Sequence, residues 1–366
     1  MIEIIQIVPH LTPTISGVGD YSLLLAGELR HSHNINTHFI VGDPQWEGPP
    51  EIDGFLVTKV SERSASHFES LLRDTAGVDK PLLLEYSGYG YEKRGCPFWL
   101  VKGLESWKRL NAKCRLLVMF HELYAFGPPW RSSFWNHALQ KWMVKSLAKS
   151  SEHSFTNLQR YMRVLRSITR LPEANFSVHP VFSNVGEPNM KPSLRNRKPR
   201  LVVFGSAGWR QQAYDQHRNA LEKLCQALKI TEVIDIGPPC SDIPQISVPC
   251  IQKGRLSAEQ INRELLNARA GFFSYPVAFL GKSGIFAAYA AHGLVPVTYA
   301  SNNTCSEDGL RPNEHFLTAA SFLCHSEQQI ERISQQVHEW YAGHTINMHA
   351  KYYSSIIKRN DKPQYL

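Results

Sequence analysis

Strand-length apolar runs alternate with stretches of helical periodicity from the first residues of this chain, and the alternation starts again after an interruption near the middle. That order is the mark of parallel sheets whose strands are joined by crossover helices. Ile2 to Val8 reads as a buried first strand. A loop with Pro13, Ser16, Gly17 and Gly19 follows, and then Val18, Tyr21, Leu24, Leu25 and Leu29 recur at helical spacing. His38 to Val41, Pro81 to Glu85, Leu116 to Phe120 and Ser154 to Thr156 continue as strands, with a helix from about Phe134 to Lys149 between the last two. The stretch Glu187 to Pro199 has three prolines, several charges and little apolar content, so it reads as a linker.

Beyond it the pattern resumes. Leu201 to Phe204, Glu232 to Ile236, Ala270 to Tyr275 and Val295 to Tyr299 read as strands. Helices are expected around Ala213 to Leu228, after a capping box at Ser257 and Gln260, and from Ser283 to His292. Ile330, Ile333, Val337, Trp340 and Tyr341 predict a long amphipathic helix, and Tyr352 to Ile357 a terminal one. The expected fold class is α/β, two doubly wound Rossmann-like domains facing a cleft. Residues 1–187 form the first domain, 188–200 the linker, 201–340 the second domain and 341–366 a helical tail packing back on the first.

Composition narrows the classes. At 366 residues the chain is long enough for two domains of ordinary size, and 43% hydrophobic residues exclude a disordered chain. The seven cysteines are scattered with no C-x-x-C, so neither a disulfide framework nor a zinc ribbon is expected. Met1 to Val8 carries an acid and a short apolar run, unlike a signal peptide or a membrane span, so a cytoplasmic protein is expected. The net charge of +8 gathers between Lys93 and Arg200, where it suits an anionic lipid or phosphate partner or simply solvated helix faces. No nucleic-acid module is present, so no nucleic acid is expected as partner. Phe134 to Lys149 mixes aromatics with lysines, which fits peripheral contact at the inner face of an anionic membrane or a core helix with a basic outer face.

Ligands of doubly wound sheets bind at the carboxyl ends of the strands, where loops enter helices. Thr14 to Asp20 is one such loop, and its glycines let an anion approach a helix start. Leu280-Gly281-Lys282-Ser283-Gly284 is another. A P-loop would need glycine where Pro276 stands, so what remains is a cationic, glycine-bearing helix start suited to a diphosphate. His121 leaves the strand Leu116 to Phe120 toward the ligand side, where it serves a substrate hydroxyl or packs against backbone. Glu85 ends its strand likewise, and Tyr89 and Tyr91 after it form an acceptor wall or merely pack a loop.

At these residues the chain resembles the GT-B glycosyltransferases, in particular the retaining family-four enzymes that use nucleotide sugars. The resemblance rests on Pro13-x-x-Ser16-Gly17-Val18-Gly19, on His121 after its strand, on Ser183-Asn184-Val185-Gly186, and on the block from Gly254-Arg255-Leu256-Ser257 to Pro296-Val297. It implies a hexosyltransferase that needs no metal or cofactor, with a nucleotide diphosphate sugar as donor and a small-molecule, lipid-linked or saccharide hydroxyl as acceptor. It also implies that Gly17 and Gly19 border the donor diphosphate, that His121 contacts the donor sugar, and that Gly281, Lys282, Ser283 and Gly284 hold the diphosphate. Arg255 and Leu256 would border the base, and Glu85, Tyr89 and Tyr91 the acceptor. Two family glutamates, eight positions apart, are replaced by Leu280 and Ala288, and the customary arginine falls on Ser206 with Arg210 close enough to substitute. Catalysis would then lean on His121, Arg210 and Lys282. The other reading is a GT-B fold kept for binding or scaffolding, its chemistry lost with the two glutamates.

Overall fold

The structure is a computed structural model. It describes residues 1–77, 79–125, 132–240, 246–299, 306–318 and 325–359, with backbone alone at 132–135. The chain folds as two units, Met1–His179 joined by the residues from Ile346 on, and Pro180–Thr345.

The first unit is built on β1 (Ile2–Val8), β2 (Ile35–Val41), β3 (Glu51–Ile52), β4 (Phe55–Lys59), β5 (Leu82–Tyr86), β6 (Leu116–Phe120), β7 (His153–Thr156) and β8 (Phe176–Val178). Its helices are α1 (Gly17–His33), α2 (Ala65–Ala76), α3 (Gly88–Tyr91), α4 (Phe98–Leu110), α5 (Ser132–Ser150) and α6 (Gln159–Thr169). The strands lie in the order β3-β4-β2-β1-β5-β6-β7-β8, parallel throughout except for the β3–β4 pair. Central strands such as β5 and β6 are buried along their whole length, which is why they read as unbroken apolar runs rather than alternating ones. Ser16 starts α1 by accepting a hydrogen bond from the Gly19 N–H, and Asn34 ends it in the left-handed conformation. The winding of the sheet reverses between β1 and β5, and this is the unit's switch point.

The second unit has β9 (Lys198–Phe204), α7 (Ala207–Asp215), α8 (Arg218–Ala227), β10 (Glu232–Ile236), β11 (Cys250–Gly254), α9 (Ala258–Asn267) and β12 (Ala268–Phe273). α10 (Gly284–Ala291), β13 (Val295–Thr298), β14 (Leu317–Thr318) and α11 (Glu327–Ala342) complete it. Its sheet is parallel in the order β11-β10-β9-β12-β13-β14, with the reversal between β9 and β12. The expected capping box at Ser257 and Gln260 forms, and a second one at Ser326 and Gln329 opens α11. The last helix, α12 (Ile346–Ile357), belongs to the first unit. There Tyr353 stacks on Phe155 with ring centroids 4.0 Å apart, and Arg115 donates to the Ile356 and Ile357 carbonyls at 2.7 and 2.8 Å.

Two expectations are corrected. The helix expected from Ala213 to Leu228 is two helices broken at His217, whose ring stacks on Tyr299 with centroids 3.5 Å apart. The stretch read as a linker is packed into the second unit, and the seam between units falls earlier, after His179. Leu194 joins that unit's core, and the buried Arg197 guanidinium donates to the carbonyls of Pro192, Ala268 and His292. Charge and proline mimic a solvated linker here because an arginine whose three nitrogens each donate to a carbonyl can be buried.

Candidate functional site

In the first unit, three adjacent strands place a polar chain beside the switch point. Gln6 on β1 donates from Nε2 to Glu85 Oε1 on β5 at 2.7 Å, and His121, just past β6, lies with Nε2 2.7 Å from Glu85 Oε2. Glu85 is wholly inaccessible to solvent and His121 nearly so. The Tyr21 ring meets His121 edge-on at 5.1 Å, and its hydroxyl lies 3.1 Å from His349 Nδ1 and 3.3 Å from the Tyr353 hydroxyl of α12. Burial first, and the Glu85 charge after it, push the Tyr21 and Tyr91 hydroxyls well above their ordinary value.

This geometry revises the expected acceptor wall. Tyr91 is buried, bonded to the Ile7 and Glu85 carbonyls at 3.0 Å each, and Glu85 faces His121 and Gln6 instead of solvent. Of the three expected residues, Tyr89 alone is open, at 44% exposure. It borders a cavity of about 200 Å³ with Glu122, Tyr124, Gln140 and Tyr161, at the carboxyl ends of β5 and β6. Gln140 ties its walls together. The Gln140 amide accepts from the Ala125 N–H at 3.0 Å and donates to the Arg94 carbonyl at 3.0 Å and the Tyr89 hydroxyl at 3.3 Å.

At the start of α1 the two expected glycines part ways. Gly17 is exposed with open space where a Cβ would stand. Gly19 is corrected: it is buried, its N–H is taken by the Ser16 cap, and a Cβ there would lie 2.5 Å from the His10 carbonyl oxygen. Its role is close packing rather than an open amide for a ligand.

In the second unit the strand ends around the switch point carry glycines at positive φ. A Cβ on Gly205 would lie 2.5 Å from Ile285 of α10, and one on Gly237 would lie 2.2 Å from the Gly205 carbonyl. Arg210 is corrected from a phosphate ligand to a buried clamp. Its guanidinium donates to Asp235 at 2.9 Å, to the Gly205 carbonyl at 3.2 Å and to the Pro238 carbonyl, at 1% exposure. Tyr214 donates to the other Asp235 oxygen at 2.7 Å. Burial raises the Asp235 carboxyl, and the Tyr214 bond and the Arg210 charge pull against it.

The loop before α10 forms a short 3-10 turn, Val277–Lys282, and Ser283 caps the helix by accepting from the Phe286 N–H at 3.2 Å. The Gly284 and Ile285 N–H groups have no hydrogen-bond partner among the described residues, as the first turn of a helix requires of groups that no cap reaches. Gly281 is buried and its carbonyl accepts from Val181, whereas Lys282 is half-buried with Nζ 5.7 Å from the Phe279 ring centroid. Leu280 and Ala288 are both core residues. Arg255 is exposed and Leu256 half-buried, directly after β11. Trp209, 37% exposed, meets Tyr275 edge-on at 5.1 Å at the ends of β9 and β12. Among the described residues no three His, Cys, Asp or Glu side chains converge as a metal site would need, and no helix is long and apolar enough to cross a membrane.

No family model matches this chain, and no curated protein does. Solved structures match it over 98% of its length. One is a lipopolysaccharide outer core galactosyltransferase, WaaB, in its apo form, at TM-score 0.58 and 11% identity over 100% of that chain. A second is a trehalose-6-phosphate protein from E. coli bound with UDP-2-fluoro glucose, at TM-score 0.62 and 11% identity over 99% of that chain. A third is an alpha,alpha-trehalose-phosphate synthase (UDP-forming) from Burkholderia xenovorans in complex with glucose-6-phosphate, at TM-score 0.59 and 10% identity over 100% of that chain. The fold is GT-B. Within this GT-B fold, Glu122, Tyr124, Gln140 and Tyr161 are the cavity residues that sequence reasoning missed. Glu122 had a signal, its place beside His121 at a strand end, whereas Gln140 is one polar residue inside an amphipathic helix.

Proposed function

We propose that the chain is a glycosyltransferase that moves a hexosyl group from a nucleotide diphosphate sugar to a hydroxyl acceptor, with retention and without a metal or cofactor. The observation that carries this reading is the start of α10, where two backbone N–H groups without a partner among the described residues follow Lys282 in the chain. Such a helix start favours an anion, and it stabilises a departing diphosphate as charge develops on it. In the reaction the acceptor oxygen bonds to the anomeric carbon, the bond from that carbon to the phosphate oxygen breaks, and the hydroxyl proton passes to the departing diphosphate. Trp209 with Tyr275 at the ends of β9 and β12 offers an aromatic face for a base, and Arg255 and Leu256 follow β11, two strands from β9 in the same sheet. The cavity of Tyr89, Glu122, Tyr124 and Gln140 suits the acceptor. Retention is supported by the family resemblance and by the alpha,alpha product named for one neighbour.

The test incubates the protein with UDP-, GDP-, ADP- and TDP-linked glucose and galactose and a panel of sugar acceptors. It reads nucleoside diphosphate release and the anomeric configuration of the product. We expect turnover of one nucleotide family, unchanged by EDTA and lowered about 10²- to 10³-fold in Lys282→Ala. Turnover of none would favour the scaffold reading, for which the replacement of both family glutamates by Leu280 and Ala288 is the supporting observation.

The outer face of α5 supports peripheral contact with an anionic surface. Met143, Val144, Leu147 and Ala148 are buried in the core, whereas Lys141, Lys145 and Trp142 face out. Trp142 lies by Phe98 with Lys102 over its ring at 4.7 Å. The side chains of Phe134 and Trp135 lie outside the described residues. Sedimentation with phosphatidylglycerol vesicles, lost in Trp142→Ala and absent with phosphatidylcholine, is the expected result; equal sedimentation with both would contradict it.

A further inference from the structure

We infer that Glu85 is a positioning residue that holds His121 as the Nε2–H tautomer and so presents Nδ1 as a hydrogen-bond acceptor to a hydroxyl of the transferred sugar. The inference rests on the glycosyl-transfer reading for the identity of the ligand and on geometry alone for the tautomer.

Glu85 lies wholly in the protein, on the central strand beside the switch point, and its two oxygens are divided between two partners. Oε1 takes a hydrogen bond from Gln6 Nε2 and Oε2 lies 2.7 Å from His121 Nε2. The orientation of Gln6 is fixed by the same carboxylate, since its own Oε1 is buried with no partner among the described residues and would repel Glu85 if the amide turned over. A carboxylate accepts and does not donate, so Nε2 carries the proton in this pair, and in the neutral ring Nδ1 is then left as an acceptor. Nδ1 has no hydrogen-bond partner among the described residues, and His121 keeps 9% of its side-chain surface open, so the unshared nitrogen is the one a ligand can meet.

The register explains why these three meet. Gln6 pairs with Leu83, two residues before Glu85, and Glu85 pairs with Met119, two before His121, so the three side chains share one face of the sheet and meet along a diagonal at its carboxyl end. Tyr91 adds a second constraint by donating to the Glu85 carbonyl, which fixes the backbone that bears the carboxylate. The pairing is costly to bury, and nothing in the packing of β5 demands an acid at that position when its neighbours are leucines and a tyrosine. An oriented imidazole accepting from a hydroxyl reads the presence of that hydroxyl strongly, because a deoxy sugar leaves the nitrogen unpaired.

The test uses the full chain in two variants, Glu85→Gln and Gln6→Leu. Glu85→Gln keeps the size of the side chain, but its amide nitrogen would donate to His121 Nε2 and drive the proton to Nδ1. Nitrogen-15 shifts of the histidine rings should show His121 protonated at Nε2 in the wild type and at Nδ1 in Glu85→Gln. Turnover of the preferred nucleotide sugar should fall about 10²-fold or more in kcat for Glu85→Gln, while the affinity for the free nucleoside diphosphate stays unchanged; a wrong tautomer in a hydrolase triad costs about 10⁴-fold. Gln6→Leu should keep the wild-type tautomer with a smaller loss. Deoxy donors lacking one hydroxyl at a time should include one that wild type and Glu85→Gln turn over equally. A wild-type His121 protonated at Nδ1, or a Glu85→Gln enzyme with full kcat, would overturn the inference. If the wild type turns over no nucleotide sugar although the ring shifts are as stated, the transfer reading falls and takes the sugar contact with it, leaving the tautomer assignment standing.

Discussion

Replacing Arg210 by Met would leave Asp235 buried with Tyr214 but no cation. Removing one partner of such a pair costs about 3–5 kcal/mol, so Arg210→Met should unfold at much lower urea while Lys282→Ala unfolds near wild type. Equal midpoints would restore Arg210 as an open ligand. In the first unit His153 makes stability depend on pH. Burial, with Arg359 adding to it, pushes His153 down to about 4, although Glu152 pulls the other way. The unfolded chain binds its proton near the ordinary 6.5, so between the two values the unfolded state holds more protons. Stability is therefore full above about 6.5 and falls as pH drops toward 4, by up to about 3 kcal/mol for this one group. His153→Gln, which can still reach Ser177, should lessen the slope of stability against pH over that window in chemical denaturation; an unchanged slope would contradict the assignment. At this scale the sequence points to the right residues more readily than to their partners. His121 and Glu85 stand out at strand ends, but their bond depends on strand order and register, which no local pattern carries.

Among the elements, the two glycines of α1 make opposite predictions from one motif. Gly19→Ala places a Cβ against the His10 carbonyl, a backbone atom that cannot turn aside, and should cost about 1–3 kcal/mol. Gly17→Ala meets open space and should change stability by no more than about 0.5 kcal/mol. Urea midpoints of the two variants check this, and equal losses would show that the close approach is not what fixes Gly19. Strands such as β6, which coincides with its predicted range, are legible because a parallel strand buried on both faces is an unbroken apolar run. The break at His217 and the packed stretch around Arg197 are not, since each depends on a partner remote in sequence, Tyr299 in one case and the Ala268 and His292 carbonyls in the other.

For the whole molecule, the twice-run alternation of strands and helices is enough to anticipate two parallel-sheet units, and the comparison with solved structures identifies the fold as GT-B. The seam after His179 follows from long-range packing, so composition alone marks the division too late. In the proposed transferase the second unit binds a nucleoside diphosphate at the start of α10. Titration calorimetry of UDP, GDP, ADP and TDP into the full chain and into Lys282→Ala tests it without requiring an acceptor or turnover. We expect saturable binding of one nucleotide, weakened about tenfold or more in Lys282→Ala by loss of a charge-assisted contact. Binding of none, or binding that Lys282→Ala leaves untouched, would contradict the account.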